Sequence, residues 1–282
     1  MVLATASYVT NDTLMKLATI GLPAYEVLLL RGVSATIWAV PLLLAMNLRN
    51  QIPQIFDRSV LVRNGMELFA IMSFIVALAN MPIADVTALG QVTPLLVLVG
   101  ASFLFGEKLG WAKGTLVGLG LVGALMVAQP TTEGISVYAL LALATAVFGA
   151  GRDVSSRRVP PEVPGLVVAL GATLIVLAGA GIAHFTLEDW TTPTLRHLLL
   201  LGAAGLFLLG GHFFIFMAYR IGPATIVAPF YYLFTFWAVI SGLLVFGVVP
   251  NRLALAGIAL VVASGIAVVL LDQRQRRLVP VT

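Results

Sequence analysis

The chain has no cysteine and few charged residues, and both shortages restrict what it can be. Because none of its 282 residues is Cys, disulfides, thiolate metal sites and cysteine nucleophiles are excluded. Charged residues make up 10% of the chain and hydrophobic residues 60%, whereas soluble domains carry roughly a quarter charged residues. Three histidines occur, without HxxxH, HExxH or DxxD spacing, so we expect no metal site and no cofactor. The composition predicts an all-α polytopic membrane protein.

Hydrophobic segments divide the chain into ten predicted membrane spans. A spanning helix needs about 20 mainly apolar residues, and the links between the segments are short. The first segment lacks a basic n-region and is followed by further spans, so we expect a membrane helix and not a cleaved signal peptide. The predicted spans are 2–21, 24–46, 61–80, 84–105, 111–129, 134–151, 163–184, 197–219, 224–246 and 251–271.

Basic residues predict the orientation of these spans. With both termini in the cytoplasm, twelve Lys and Arg lie on the inner side: Arg49, Arg58, Arg63, Lys108, Lys113, Arg152, Arg157, Arg158, Arg220, Arg274, Arg276 and Arg277. Four remain for the outer half: Lys16, Arg31, Arg196 and Arg252. This asymmetry follows the positive-inside rule. It also assigns the positive net charge to topology, so we expect a lipid bilayer and no nucleic acid as partner.

An internal repeat is faintly visible in the sequence. "ALANMPIADV" (77–86) aligns with "AYRIGPATIV" (218–227), which places Pro82 opposite Pro223 at an offset of 141 residues (223 − 82). Since each half holds five spans, the second half must be inverted relative to the first. We therefore predict repeats at 1–130 and 131–272, followed by a basic cytoplasmic tail at 273–282. Inverted repeats are typical of secondary transporters, whose sites lie near the membrane midplane.

Three segments carry a resemblance to a known family: "YVTNDTLMK" near the start, "LLLRG" (28–32) and "ALGQVTPLLVLVGASFLFGEKL" (88–109). With them the chain resembles the ten-helix EamA type of the drug/metabolite transporter superfamily, over nearly its whole length. It looks most like exporters of aromatic amino acids and of flat aromatic cations such as methyl viologen. Two departures are Val248 where the first half has Glu107, and "TND" in the first span. The resemblance implies a multi-pass plasma or inner membrane transporter, acting as a monomer or homodimer.

Polar residues inside the first three spans are the first candidates for the site, because a charge at a helix centre costs about 2.5–3.5 kcal/mol. Tyr8, Asn11 and Asp12 share one helical face by their spacing, which lines a cavity or forms interhelical hydrogen bonds. Asp12 is also a candidate for proton coupling, with Glu67 second, since a buried carboxylate binds a proton more readily than one in water. For Glu26 and Arg31, five residues apart on the second span, we expect structural partners on other helices.

Aromatic and amide side chains in later spans complete the predicted site. Gln91 lies beside Pro94, which frees a backbone carbonyl at a depth where such groups line cavities. His212 is either a neutral hydrogen-bonding residue or a ligand or proton contact. Flat apolar walls are expected from Phe148, Phe216 and Trp237. Glycines of the fifth and tenth spans read as small-residue packing faces, within the protein or between copies.

We expect these residues to serve a carrier that exports amino acids, aromatic ones preferred, by alternating access. An aromatic cavity with one carboxylate also suits a flat cation, held by cation–π attraction. One alternative is a membrane enzyme acting on a lipid-linked substrate. Such an enzyme needs a nucleophile–base pair or a cluster of metal ligands, and the sequence shows neither. Another is a passive channel, which requires a polar stripe of full depth on several helices.

Overall fold

The fold is a bundle of helices, described in a computed structural model for residues 1–105, 110–129, 135–221 and 228–278. Within these ranges the chain forms eleven α-helices, two 3₁₀ helices (Arg49–Phe56 and Ala228–Tyr232) and no strand. The α-helices are α1 (Val2–Ala18), α2 (Ala24–Ala45), α3 (Arg58–Asn80), α4 (Ile83–Gly90), α5 (Thr93–Phe105), α6 (Trp111–Ala128), α7 (Val137–Ser156), α8 (Gly165–Leu187), α9 (Leu195–Ile221), α10 (Leu233–Phe246) and α11 (Arg252–Leu278). Glu107 and the second-half proline of the sequence repeat, Pro223, lie outside the described residues.

Eight segments of the described chain are long and apolar enough to cross a membrane. They correspond to the predicted spans two to eight and ten. The predicted ninth span appears as the shorter apolar helix Phe230–Phe246, and the first as the 17-residue α1. Ten crossings with both termini inside therefore stay a prediction. The final helix continues through Leu278, so residues 273–278 of the predicted tail are helical.

The predicted fourth span is two helices and not one, which corrects the continuous helix expected over 84–105. A two-residue turn at Gln91 and Val92 separates α4 from α5. Pro94 has no N–H to donate to the carbonyl of Gly90, so the helical ladder cannot continue through this turn. The N–H of Gln91 instead closes α4 on the carbonyls of Thr87 and Ala88, at 3.0 and 3.1 Å.

Small residues bring α6 and α11 into close contact within the chain. A Cβ added at Gly123 would lie 2.8 Å from the carbonyl oxygen of Gly257, and one at Gly257 would lie 2.6 Å from that of Gly123. The ends of the pair are joined by two hydrogen bonds between the amides of Gln129 and Asn251, at 2.9 and 3.0 Å. The predicted packing faces of the fifth and tenth spans thus pair with each other.

Helix boundaries recur at the offset seen in the sequence. α2 and α8 begin 141 residues apart (165 − 24), as do α6 and α11 (252 − 111). α5 and α10 end 141 residues apart (246 − 105). A proline stands before α2 and before α8, at Pro23 and Pro164, and sets the backbone angle from which each helix starts.

Helix packing follows the same exchange of halves. α1 packs on α9, and α3 packs on α7; α2 packs on α8 and α9, while α8 also packs on α3; α5 packs on α7, and α10 packs on α1. Replacing each helix by the one at the 141-residue offset converts this set of pairs into itself. Most candidate residues lie on α1, α3, α7 and α9, which pack in two of these pairs; Gln91 lies in the turn after α4, and Trp237 lies on α10.

Candidate functional site

One interrupted span contacts the start of another helix. The interruption is the turn at Gln91 between α4 and α5, and the other segment is the 3₁₀ helix Ala228–Tyr232, which continues directly into α10. The side-chain amide of Gln91 donates to the backbone carbonyl of Tyr231 at 3.5 Å, which links the two segments. An interrupted helix exposes backbone groups that a bilayer tolerates only where they face protein or a cavity. The turn at Gln91 therefore marks a part of the bundle where polar chemistry is available.

Aromatic rings join α1 and α9 to α10 and to the 3₁₀ helix that precedes it. The ring of Tyr8 lies edge-on to the imidazole of His212, with centroids 5.3 Å apart, and lies 5.6 Å from the ring of Phe234. Phe234 in turn contacts Tyr231 at 5.0 Å. The sequence analysis picked out Tyr8 and His212 but missed Phe234, which looked like one more apolar residue of a hydrophobic span.

His212 has one ring nitrogen engaged and lines a small cavity. Its Nδ1 lies 2.8 Å from the carbonyl oxygen of Leu208, so Nδ1 donates and Nε2 remains the acceptor. The cavity, about 20 Å³, lies between α2, α8 and α9 and is also lined by Ala35, Ala39 and Thr173. That volume holds about one water molecule.

The polar residues of α1 pair with each other and with α10. The Asn11 amide is 2% exposed and donates to Oδ1 of Asp12 at 2.9 Å. The hydroxyls of Thr13 and Ser241 lie 2.6 Å apart across α1 and α10. The carboxylate of Asp12 lies more than 4.0 Å from any described cationic nitrogen, and Arg31 on α2 is the cation that acts on it electrostatically.

Glu67 belongs to a charge cluster between α3 and α7. Its carboxylate lies 3.0 Å from Arg152 and 3.5 Å from Arg63. Arg152 also pairs with Asp153 at 2.7 Å, and Arg63 donates to Asn64 at 2.9 Å. Two guanidiniums thus balance the charge of Glu67. The cluster lies on α3 and α7, and α3 packs on α1, which carries Tyr8.

Within the described ranges, Phe148 and Trp237 make no ring contact with Tyr8, His212 or Phe234. Phe148 stacks against Phe69 at 5.4 Å. Trp237 packs against Phe236 and against a cluster of buried apolar residues that includes Met15, Leu28 and Ile75. Its indole Nε1 is buried and has no hydrogen-bond partner among the described residues. The side chain of Phe216 lies outside the described part of the structure. Among the described residues, no group of His, Asp and Glu has a metal-binding arrangement.

Glu26 lies in a network at the start of α2, and its partner is on the link between α8 and α9 and not on another helix, where the sequence analysis expected it. Its carboxylate accepts from the backbone N–H of Thr191 at 3.1 Å. In return, Glu188 accepts from the backbone N–H groups of Tyr25 and Glu26, at 3.0 and 3.2 Å, and lies 3.1 Å from the buried His184. The carboxylate of Glu188 thus occupies two of the N–H groups that the first turn of a helix leaves unsatisfied.

Lys16 is a second contact that the sequence did not reveal. Its ammonium donates to the carbonyls of Leu78 and Met81, at 2.6 Å each, and so caps the end of α3. It also lies 5.7 Å from the centre of the Phe246 ring. The sequence showed Lys16 only as an outer-side charge near the end of a span.

Similarity to known proteins agrees with this architecture. Residues 1–129 match the EamA-like transporter family. The pseudopaline exporter CntI of Pseudomonas aeruginosa is 30% identical over 94% of this chain and 93% of its own. A riboflavin transporter of Rhizobium johnstonii is 28% identical over 78% and 71% of the two chains. An S-adenosylmethionine uptake transporter of Rickettsia prowazekii is 22% identical over 94% and 89%.

A solved crystal structure has the same fold, with a TM-score of 0.67 at 23% identity over 97% of each chain. The named relatives carry three different metabolites, in both directions across the membrane. They give no support to the narrower resemblance to exporters of aromatic amino acids or methyl viologen. Their names indicate a transporter of small molecules and not an enzyme. Together with the apolar helices, they indicate a multi-pass inner-membrane protein. The chain belongs to the EamA-like transporter family of the drug/metabolite transporter superfamily.

Proposed function

We propose that this transporter exports amino acids, aromatic ones preferred, by alternating access about a site between its two halves. The observation that carries the proposal is the contact of the interrupted span at Gln91 with Tyr231, next to the rings of Tyr8, His212 and Phe234. In secondary transporters, interrupted helices at the interface of two repeats typically form the substrate site.

The repeated architecture supports the alternating-access part of the proposal. The common offset of helix boundaries and the exchangeable packing pairs favour two inverted repeats, at 1–130 and 131–272. Links on the two sides have matching roles: the 3₁₀ helix that follows α2 packs on α8, and the link that follows α8 bonds to the start of α2. Two halves of this kind can rock against each other about the site they share.

The chemistry of the lining supports the substrate class. Tyr8, His212 and Phe234 offer flat faces and edges, which favour aromatic rings at centroid separations of roughly 4.5–7 Å. Asp12 supplies a carboxylate for an ammonium group, and the same pair of features accepts a flat aromatic cation. Trp237, Phe148 and Phe216 complete the proposed lining.

Asp12 is the residue we propose for proton coupling. Glu67, the second candidate, lies within 3.5 Å of two arginines that balance its charge. The carboxylate of Asp12 has an amide donor but no described cation within 4.0 Å. A proton on Asp12 would therefore break no described ion pair, whereas a proton on Glu67 would weaken its pairs with Arg63 and Arg152, of which Arg152 alone keeps a second carboxylate, Asp153.

Uptake into proteoliposomes tests the function. We expect the purified protein to transport radiolabelled phenylalanine faster than leucine or glucose, and faster with an opposing proton gradient than without one. His212→Ala and Asp12→Asn should each lower the rate at least about tenfold, which corresponds to about 1.4 kcal/mol. Asp189→Asn, on the exposed link after α8, is the control and should leave transport unchanged.

Equal rates for the whole panel, or full activity in both variants, would refute the proposed site. A rate that does not respond to collapse of the proton gradient would refute the coupling alone.

A further inference from the structure

Among the described residues, Arg31 is a buried cation that has no bonding partner. It lies on the third turn of α2 and is 5% exposed. Within the described residues its nitrogens form no hydrogen bond, and none lies within 4.0 Å of a carboxylate oxygen; its Nε is fully enclosed. Burying a charge without compensation costs several kcal/mol. The interhelical partner that the sequence predicted for Arg31 is therefore missing.

The equivalent position in the other half holds no charge. At the 141-residue offset that relates α2 to α8, Arg31 corresponds to Ala172 (31 + 141 = 172), which is buried in the equivalent helix. A charged residue that remains unpaired within a membrane span is a candidate functional residue.

Arg31 lies beside the candidate site and not at the lipid surface. Ala35 and Ala39 follow it at intervals of four residues, so the three share one face of α2. Ala35 and Ala39 line the cavity that His212 closes. The helix of Arg31, α2, packs on α1, which carries Asp12, and on α3, which carries Glu67.

We propose that Arg31 binds the carboxylate of the transported molecule while Asp12 binds its ammonium group, so that the site selects zwitterions. The guanidinium of arginine matches a carboxylate through two parallel N–H···O bonds. Arg31 on α2 and Asp12 on α1 stand on helices that pack on each other, and no ion pair within 4.0 Å joins them, so both ionic groups are available to a zwitterion. The inference rests on the proposed transport function and adds the group that selects the substrate.

Binding to the unmodified protein gives the first test, which does not depend on how a variant folds. Titration calorimetry on detergent-purified protein compares phenylalanine with phenylalaninamide, and leucine with leucinamide; each pair differs only at the carboxylate. We expect each acid to bind about 10- to 100-fold more tightly than its amide, the range for a hydrogen bond to a charged group. Equal affinities within both pairs, or no binding of either acid, would overturn the inference.

Arginine variants then assign the preference to Arg31. Arg31→Gln should lower the affinity for the acids about 10- to 100-fold and leave the amides unchanged, which removes the preference. Arg31→Lys keeps the charge but not the two parallel bonds, so it should retain part of it. Arg196→Gln, an exposed arginine at the start of α9, is the matched control and should behave as the unmodified protein. Retained preference in Arg31→Gln overturns the assignment.

The two proposals fail in different ways. Transport of phenylalanine and phenylalaninamide at equal rates would leave the proposed function intact and remove the role of Arg31. Tight, carboxylate-dependent binding without transport in proteoliposomes would do the reverse.

Discussion

Substitution of Gly123 by alanine tests whether the contact between α6 and α11 is as close as the structure has it. A Cβ at this position would lie 2.8 Å from the carbonyl oxygen of Gly257 and 3.0 Å from the backbone nitrogen of Val261. Ordinary contact begins near 3.4 Å, so the neighbouring backbone must retreat by about 0.6 Å (3.4 − 2.8). Because both obstructing atoms are backbone, no side chain can rotate away, and the two helices must separate.

Overpacking of this kind costs about 1–3 kcal/mol. Alanine also favours a helix over glycine by about 1 kcal/mol, which opposes the packing cost. Gly118→Ala provides the reference, because Gly118 lies on the same helix and a Cβ there meets nothing within 4 Å. Both variants gain the same helix propensity, so the difference between them isolates the packing term.

Thermal unfolding in detergent, followed by size-exclusion of the remaining folded protein, measures this difference. We expect Gly118→Ala to match or exceed the unmodified protein, and Gly123→Ala to unfold at a lower temperature. A difference of about 1–3 kcal/mol corresponds to roughly 2–4 °C per kcal/mol in chains of 150–250 residues. Equal midpoints for the two variants would refute the close approach of α6 and α11.

Three further substitutions test contacts that join separate helices. Lys16→Met should lower the free energy of unfolding by about 1–3 kcal/mol, because it removes a charged donor from two carbonyls; an unchanged denaturation midpoint would contradict the capping of α3. Glu188→Ala should speed backbone hydrogen exchange in the first turn of α2, where Glu188 accepts from two N–H groups, and leave exchange in α6 unchanged. Equal exchange rates in this turn for Glu188→Ala and the unmodified protein would argue against the cap. Glu67→Gln should lower the thermal midpoint more than Asp153→Asn does, since Glu67 balances two arginines with 19% of its side chain exposed, whereas Asp153 pairs with one and is 41% exposed; the opposite order would show that the cluster does not depend on Glu67.

Much of the fold could be predicted from the sequence, because membrane helices are set by the length of apolar segments. The starts of α2, α6 and α11 lie within one residue of the predicted spans 24–46, 111–129 and 251–271. The break at Gln91 could not be predicted from hydropathy, since the span as a whole, Ile83–Leu104, is apolar on both sides of it. Pro94 gave the only local signal, and a proline inside a span bends some helices and interrupts others.

The candidate site was predictable in its polar residues but not in their pairing. Asn11, Asp12 and His212 stood out because polar groups are rare in apolar spans, whereas Phe234 carried no such contrast. Spacing placed Glu67 next to Arg63 but could not reveal Arg152, which lies 85 residues further along the chain. Arg31 shows the opposite limit: a partner was expected because buried charges are usually paired, and none is present among the described residues.

The bonds made by Glu188 bear on the order in which this protein is built during synthesis. They join the first turn of α2 to a link 162 and 163 residues further along the chain. At about 5–20 residues per second, a ribosome needs roughly 8–30 s to add that length. Through this interval the N–H groups of Tyr25 and Glu26 must be satisfied by water or lipid headgroups. The first turn of α2 is therefore completed only after α8 and the link behind it have been synthesised.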